Sequence, residues 1–548
     1  MGTIGLVLSM LAAVVISGII VRSIPIALPT PLVQIAFGAD IAMGNYQHVQ
    51  LDPEIFFLLF LPPLLFLDGW RIPKEGLLRD KGMILELALG LVVVTVIGMG
   101  LFIHWLIPAM PYPVAFALAA IVSPTDPIAV SAISSRFPIP KRMLHIMEGE
   151  SLLNDASGLV CFRFAVAAAV TGAFSLSSAA ITFVQLVVVG VLVGTVLTFG
   201  LMTAKGWLTR RFGEDSGSQV LLSLLIPFGA YELAEHLGGS GILAAVAAGI
   251  TMSYVELSGR ALAVTRVQRA AVWDTVQFAL NGIMFVLLGE QLPHIFSGAV
   301  DAVRESNHEN PWWLLVYVLA INFGLAVMRF LWVWVSLHIS YRLKLRQGDP
   351  TAQKPGWRVV TIMSVAGVRG AITLAGVLTL PLTLIDNTEF PTRDLTIFLA
   401  AGVIILSLTA ASLVLPRLLR GLHVAEAVED DEIDYAYSEA AQAAIRAVEE
   451  AAHTMASEHA DPDLHAEASA RVMELYRRRL AGHIGGEDSE RVRLANEIER
   501  KLRLAALAAE RQTFFSLARA NKLSDAKSRA LVREIDLMEE RLSKTAVH

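Results

Sequence analysis

Cysteine is almost absent from this 548-residue chain: Cys161 is the single thiol, and it lies inside an apolar stretch. No internal disulfide can form, so the thiol staples nothing and reveals no redox compartment. Charge is scarce as well, with 17% Asp, Glu, Lys and Arg against 55% hydrophobic residues. Soluble domains carry nearer ~25% charged residues. No Gly-Lys dipeptide occurs, which removes the P-loop that a nucleotide-driven pump would need. No Thr-Val-Gly-Tyr-Gly-like element occurs either, so a potassium-channel filter is missing. The net charge of -6 is unevenly spread and points to no nucleic-acid partner.

What the chain does have is apolar runs long enough to cross a bilayer at ~1.5 Å per residue. Spans are expected near 3–22, 25–43, 54–70, 83–107, 113–135, 141–171 and 179–205. Others follow near 218–237, 240–256, 270–291, 311–341, 358–382 and 394–420, about thirteen in all. Residues 2–21 lack a charged n-region and an Ala-x-Ala signal, so they read as a retained first span. Lys and Arg crowd alternate connections: Arg22, then Arg71, Lys74, Arg79 and Lys81, then Arg136, Lys141 and Arg142, and so on to Arg417. The opposite connections hold Arg304 and Arg393. By the positive-inside rule the N-terminus is outside and the C-terminal tail is cytoplasmic, in a cell inner membrane or plasma membrane.

Inside such spans an ionisable side chain costs about 2.5–3.5 kcal/mol to insert, so each one marks a purpose. Residues 148–158 read Glu-Gly-Glu-Ser-Leu-Leu-Asn-Asp-Ala-Ser-Gly. On a helix Ser151 and Asp155 share a face with Glu148 a turn below, while Glu150 and Asn154 form the adjoining strip. One carboxylate flanked by neutral oxygens suits a small hard cation. Two spans are interrupted: the fifth by Ser123-Pro124-Thr125-Asp126-Pro127, the twelfth by Ala366-Gly367-Val368-Arg369-Gly370. If spans one to six and eight to thirteen are two halves, both breaks fall in the fifth member of a half. Matching broken helices point to an inverted-repeat secondary transporter, with its ion site where the breaks cross. Ordinary proline and glycine kinks are the plain alternative. The half-helix ends carry partial charges that Asp126 and Arg369 could neutralise.

Phe60-Leu61-Pro62-Pro63-Leu64-Leu65-Phe66, Ser123-Pro124-Thr125-Asp126-Pro127, Gly149-Glu150-Ser151-Leu152-Leu153-Asn154-Asp155 and Gly367-Val368-Arg369-Gly370-Ala371 resemble the motifs of the monovalent cation:proton antiporter-1 family. The resemblance runs in the family's order over about residues 1–423. It implies an all-α polytopic membrane protein of two inverted-topology halves with crossed broken helices, and a homodimer. It implies secondary antiport of a monovalent cation for H+, with Na+ first and Li+ or K+ as alternatives, in pH and sodium homeostasis. Such a protein is no enzyme and needs no cofactor beyond the transported ions. By the same resemblance Asp155 takes either cation or proton with Asn154 beside it, Ser151 and Thr125 are Na+ ligands, and Asp126 is the acid of the break. Glu150 and Arg369 are implied to form a structural ion pair between the sixth and twelfth spans. One departure is Asp68, which falls one position after the place where many members carry an acid; Leu67 stands there instead. A one-residue shift turns a side chain by ~100°. Asp68 is therefore either a third-helix ligand or a membrane-edge acid facing Arg71 and Lys74.

Exchange follows from desolvation. Burial disfavours the charged carboxylate, so proton and cation compete for one site. If the empty carboxylate cannot cross between inward and outward states, only loaded forms cross, and Asn154 leaves one charge for electroneutral exchange. A K+/H+ antiporter or an ion-coupled organic-anion symporter fits the same scaffold. Elsewhere, Asp274, Gln277 and Asn281 form a stripe suited to helix packing or a funnel wall. Arg163 and Arg329 are expected in structural pairs, with Asp126 or Asp68 as candidate acids for Arg329. Glu86, Glu232, Glu235 and Glu290 read as snorkelling acids near span ends, and His104 and His236 as interfacial.

Residues 424–548 change character to a charged, alanine-rich, helix-favouring segment. Asp461-Pro462 offers a helix start and Gly485-Gly486 a break. Leu531, Ile535, Met538 and Leu542 form an amphipathic stripe, consistent with a helical cytoplasmic domain, regulatory or dimer-stabilising, or with a solvated coiled-coil tail.

Overall fold

The computed structural model describes residues 3–24, 29–44, 53–72, 81–126, 141–172, 176–213, 215–256, 263–305, 310, 312–346, 356–384, 388–420, 427–456, 462–481, 487–519 and 525–544. The chain divides into two compact units, Met1–His423 and Val424–His548. Both are helical, and the one β-feature among the described residues is an isolated bridge between Thr383 and Glu389.

The first unit begins with α1 (Thr3–Ser23), α2 (Thr30–Gly44) and α3 (Pro53–Arg71). Next, α4 (Lys81–Leu85) runs through a π-helical turn, Glu86–Leu91, into α5 (Val92–Leu106). Helices α6 (Tyr112–Val122), α7 (Lys141–Thr171), α8 (Leu176–Phe212), α9 (Ser216–His236) and α10 (Gly241–Glu256) follow. The unit closes with α11 (Ala263–Glu305), α12 (Trp312–Arg346), α13 (Trp357–Val365), α14 (Ala371–Leu378) and α15 (Arg393–Leu419). Eight helices among the described residues are long and apolar enough to cross a membrane: α1, the α4–α5 helix, α7, α8, α9, α11, α12 and α15. Two further apolar helices, α6 and α10, are shorter.

Helix α6 is buried on every side from Ala117 to Val122, as an all-apolar helix at the centre of a bundle should be. It stops at Val122 because Pro124 brings no N–H to the ladder, although Ser123 keeps helical torsions of -69° and -44°. Pro127 lies outside the described residues. The twelfth expected span is split into α13 and α14, with Gly370 extended at the start of α14.

In lipid, helices associate through close packing because the tails are as apolar as the side chains, which favours glycine at contacts. Two contacts of this kind share one register. A methyl on Gly38 of α2 would meet the Val286 carbonyl and the Glu290 nitrogen of α11, while one on Gly289 would meet the Ile35 carbonyl and the Ala39 nitrogen. A methyl on Gly249 of α10 would meet the Phe66 carbonyl and the Trp70 nitrogen of α3, while one on Gly69 would meet the Val246 carbonyl and the Ile250 nitrogen. In the expected halves α2 corresponds to α10 and α3 to α11, so one contact is the image of the other.

The second unit contains α16 (Ala427–Ala456), α17 (Pro462–Ala481), α18 (Glu487–Arg519) and α19 (Asp525–Lys544). Helix α16 packs on α17, and α18 on α19. Helix α17 starts at Pro462, whereas Gly485 and Gly486 lie outside the described residues. The stripe expected on α19 is shifted: Val532 and Ile535 are buried, but Met538 is exposed. Arg511 of α18 lies beside Asp536 and Glu539 of α19.

Candidate functional site

The two breaks meet directly. The Asp126 N–H donates to the Val368 carbonyl at 2.7 Å, which joins the end of the α6 segment to the link between α13 and α14. Each break holds a charged side chain against a half-helix end. Arg369 Nε donates to the carbonyl of Val122, the last residue of α6, at 3.0 Å, and Nη1 donates to the Gly367 carbonyl at 2.5 Å. Its backbone N–H donates to Ser407 Oγ of α15 at 3.2 Å. The guanidinium thus lies at the negative end of α6. The Asp126 carboxylate occupies the space that a Cβ on Gly370 would fill, beside the positive end of α14.

Glu150 pairs elsewhere than expected. Its fully buried carboxylate accepts two hydrogen bonds from Arg329 of α12, at 2.5 and 2.9 Å, in the forked geometry that guanidinium provides. Arg329 Nε donates to the Met363 carbonyl of α13 at 3.1 Å. The implied Glu150–Arg369 pair is therefore corrected to Glu150–Arg329, and the suggested Asp126 and Asp68 partners of Arg329 give way to Glu150. The reason is steric and local. Gly367 leaves open the space through which the Arg329 guanidinium passes, and Arg369 is already held by the carbonyls of the breaks.

Around this pair the neutral site residues are chained together. Thr125 Oγ1 donates to Glu150 Oε1 at 3.4 Å, and Asn154 Nδ2 donates to Thr125 Oγ1 at 3.0 Å and to Glu150 Oε1 at 3.5 Å. That orientation leaves Asn154 Oδ1 buried and without a hydrogen-bond partner. Asp155 and Ser151 are buried a turn apart on α7, at 4% and 5% exposure. No hydrogen bond from a described side chain reaches the Asp155 carboxylate, and the acids Asp126 and Asp68 act on it, while the charge of Glu150 beside them is offset by Arg329. The field at Asp155 therefore favours a cation. Among the described residues no three His, Cys, Asp or Glu side chains stand close enough to hold a metal ion together, so a cation at Asp155 would complete its shell with neutral oxygens.

Asp68 is half-buried on α3, and its strongest charged neighbour is Asp126, followed by Arg71 and Glu148. Arg71 is engaged by α11, where Asp274 pairs with it and Gln277 Oε1 accepts from it at 2.8 Å. The upper part of the α11 stripe is thus an α3–α11 fastening, while Asn281 Oδ1 is buried and unpartnered. Arg163 pairs with Glu235 at 3.0 Å, and Glu235 also accepts from the Gly241 N–H, so this acid is structural. Glu290 is likewise buried, at 2% exposure, and accepts from Gln291 at 2.7 Å, which corrects the snorkelling expectation. Sequence reasoning missed a cluster in which Trp70 Nε1 donates to Glu256 at 2.7 Å, Arg269 pairs with Glu256, and Arg269 lies 5.3 Å from the Trp70 ring centre. Only the apolar setting of Trp70 could have hinted at it.

The transmembrane model of the sodium/hydrogen exchanger family matches residues 10–421. An uncharacterized Na+/H+ exchanger of Escherichia coli, YjcE, is 40% identical over 541 residues, covering 97% of each chain. A Bacillus subtilis protein named a sodium, potassium, lithium and rubidium/H+ antiporter is 45% identical over 417 residues, 75% of this chain and 61% of that one. The solved structure of the sodium proton antiporter MjNhaP1 of Methanocaldococcus jannaschii aligns with a TM-score of 0.58 at 18% identity, over 76% of this chain and 98% of that one, a likeness of fold.

Proposed function

This chain belongs to the sodium/hydrogen exchanger family and is a multi-pass membrane antiporter of monovalent cations and protons, and on that premise we propose that Asp155 is its exchange site. The observation that carries the proposal is a buried carboxylate with acidic neighbours and no bound donor from the described side chains. A proton or a cation supplies the missing positive charge. Ser151 Oγ, Asn154 Oδ1 and Thr125 Oγ1 supply neutral oxygens for the cation. Asn154 has its amide nitrogen turned to Thr125 and Glu150, which presents its free oxygen as an acceptor. Asp126 holds the positive end of α14 and acts on Asp155 through its field, and Asp68 adds to that field from α3.

Glu150 is neutralised by Arg329, so the site keeps one exchangeable charge at Asp155, which favours electroneutral, one-for-one exchange by alternating access. The cation range is broad, with Na+, K+ and Li+ all carried; the name of the Bacillus subtilis relative supports this breadth. The N-terminus lies outside, the tail lies in the cytoplasm, the working form is a homodimer in the cell membrane, and the role is pH and sodium homeostasis. The test is cation-driven collapse of a preset pH gradient in everted vesicles. Asp155→Asn abolishes it, and in the native protein the apparent KM for Na+ rises as pH falls while the maximal rate holds, the signature of competition for one site. Exchange that survives Asp155→Asn overturns the assignment.

A further inference from the structure

The π-helical turn Glu86–Leu91 is held from two sides, by α7, which carries Asp155, and by α12, which carries Arg329. Such turns are rare, and they recur at functional positions. From α7, Ser157 Oγ lies 2.8 Å from the Ala88 carbonyl and 3.0 Å from the Asn154 carbonyl. From α12, Ser336 Oγ donates to Glu86 Oε2 at 3.0 Å, and the Trp332 ring fills the notch over Gly90. Both serines are buried, at 8% and 0% exposure. Helices α7 and α12 are also the two that the Glu150–Arg329 pair joins.

A serine inside a helix ordinarily returns its hydroxyl to a carbonyl three or four residues back, which ties it to nothing outside. Ser157 differs because its single proton is shared between that internal carbonyl and a carbonyl of another helix. The external acceptor belongs to the π-turn, where the spacing departs from the α ladder. We propose that Ser157 is a positioning residue for ion exchange: its hydroxyl fastens the Asn154 peptide to the π-turn and so sets the rotation of the α7 strip that presents Asn154 and Asp155. This rests on the reading of Asp155 as the exchange site. Removing the hydroxyl frees α7 to rotate slightly about its axis, and a cation shell built from Asp155 and neutral oxygens is sensitive to such a shift.

The experiment uses the full chain in proteoliposomes, with Ser157→Ala, Ser157→Thr and Asp155→Asn compared at equal protein. Ser157→Ala is expected to raise the apparent KM for Na+ about threefold to tenfold, the range one hydrogen bond supports, and to displace the pH profile. Ser157→Thr restores both, because it returns the hydroxyl. If Ser157→Ala does not assemble, Ser157→Cys takes its place, with a weaker donor and a KM shift in the same direction. An unchanged KM and pH profile in the hydroxyl-free variant overturns the positioning role, as does failure of Ser157→Thr to recover the native values. Asp155→Asn separates the two ideas: if it is inactive while Ser157→Ala is native, only the positioning role falls, and if it still exchanges ions, the site assignment falls with it.

Discussion

At the scale of single residues, the charges of the breaks are sorted by what each can reach. Glu150 and Arg329 neutralise each other in a dry setting, where removing one partner strands a buried charge at a cost of about 3–5 kcal/mol. Glu150→Ala and Arg329→Ala should therefore each lower thermal stability in detergent strongly, and the double variant should lose much less than the sum. The same cycle between Glu150 and Arg369 should show weaker coupling, since no hydrogen bond joins them; stronger coupling there than at Arg329 would restore the pairing implied by the motifs. Gly370→Ala is a second residue-scale test. Its methyl displaces the Asp126 carboxylate from the end of α14, and exchange should fall without loss of Glu150–Arg329 stability, as measured by melting and transport on one preparation. The residue types of this site were legible in the sequence, because charges in apolar helices are conspicuous. Their pairing was not. Glu150 could reach either arginine by chain position alone, and what decides the matter is the missing side chain at Gly367, a three-dimensional fact.

Among the elements, the breaks at Pro124 and at Gly367–Gly370 were readable because proline and glycine act locally on the backbone. The π-turn was not readable. Glu86-Leu87-Ala88-Leu89-Gly90-Leu91 contains no residue that demands one, and the turn is held by partners on α7 and α12. The same distinction explains α19, where the stripe of apolar residues was visible but which of them face α18 depends on the packing of the two helices, with Val532 and Ile535 buried and Met538 exposed. Helix contacts give a further prediction. Gly38→Ala and Gly249→Ala each drive a methyl into a backbone carbonyl, which cannot yield as a side chain does, and each should destabilise by about 1–3 kcal/mol. The two losses in melting temperature should be alike, and a large effect at one position with none at the other would deny the equivalence.

For the whole molecule, the transmembrane unit holds every residue of the proposed site, and the family match ends at residue 421. A chain stopped after His423 should accordingly retain Na+-driven proton exchange in vesicles with an unchanged KM, whatever it loses in yield. If that shortened chain is present in the membrane but inert, the helical tail is part of the transport machinery. The register shared by the two glycine contacts also describes how the two halves meet. Gly38 with Gly289 and Gly249 with Gly69 make one joint twice, each glycine facing the carbonyl three residues before its partner glycine and the nitrogen just after it. A contact that returns to itself when its two sides are exchanged is the geometry of an isologous interface. Here both sides of that interface lie in a single chain, so one surface used twice joins the two halves, and a methyl at either of the equivalent positions Gly38 and Gly249 wedges open one of two matching seams.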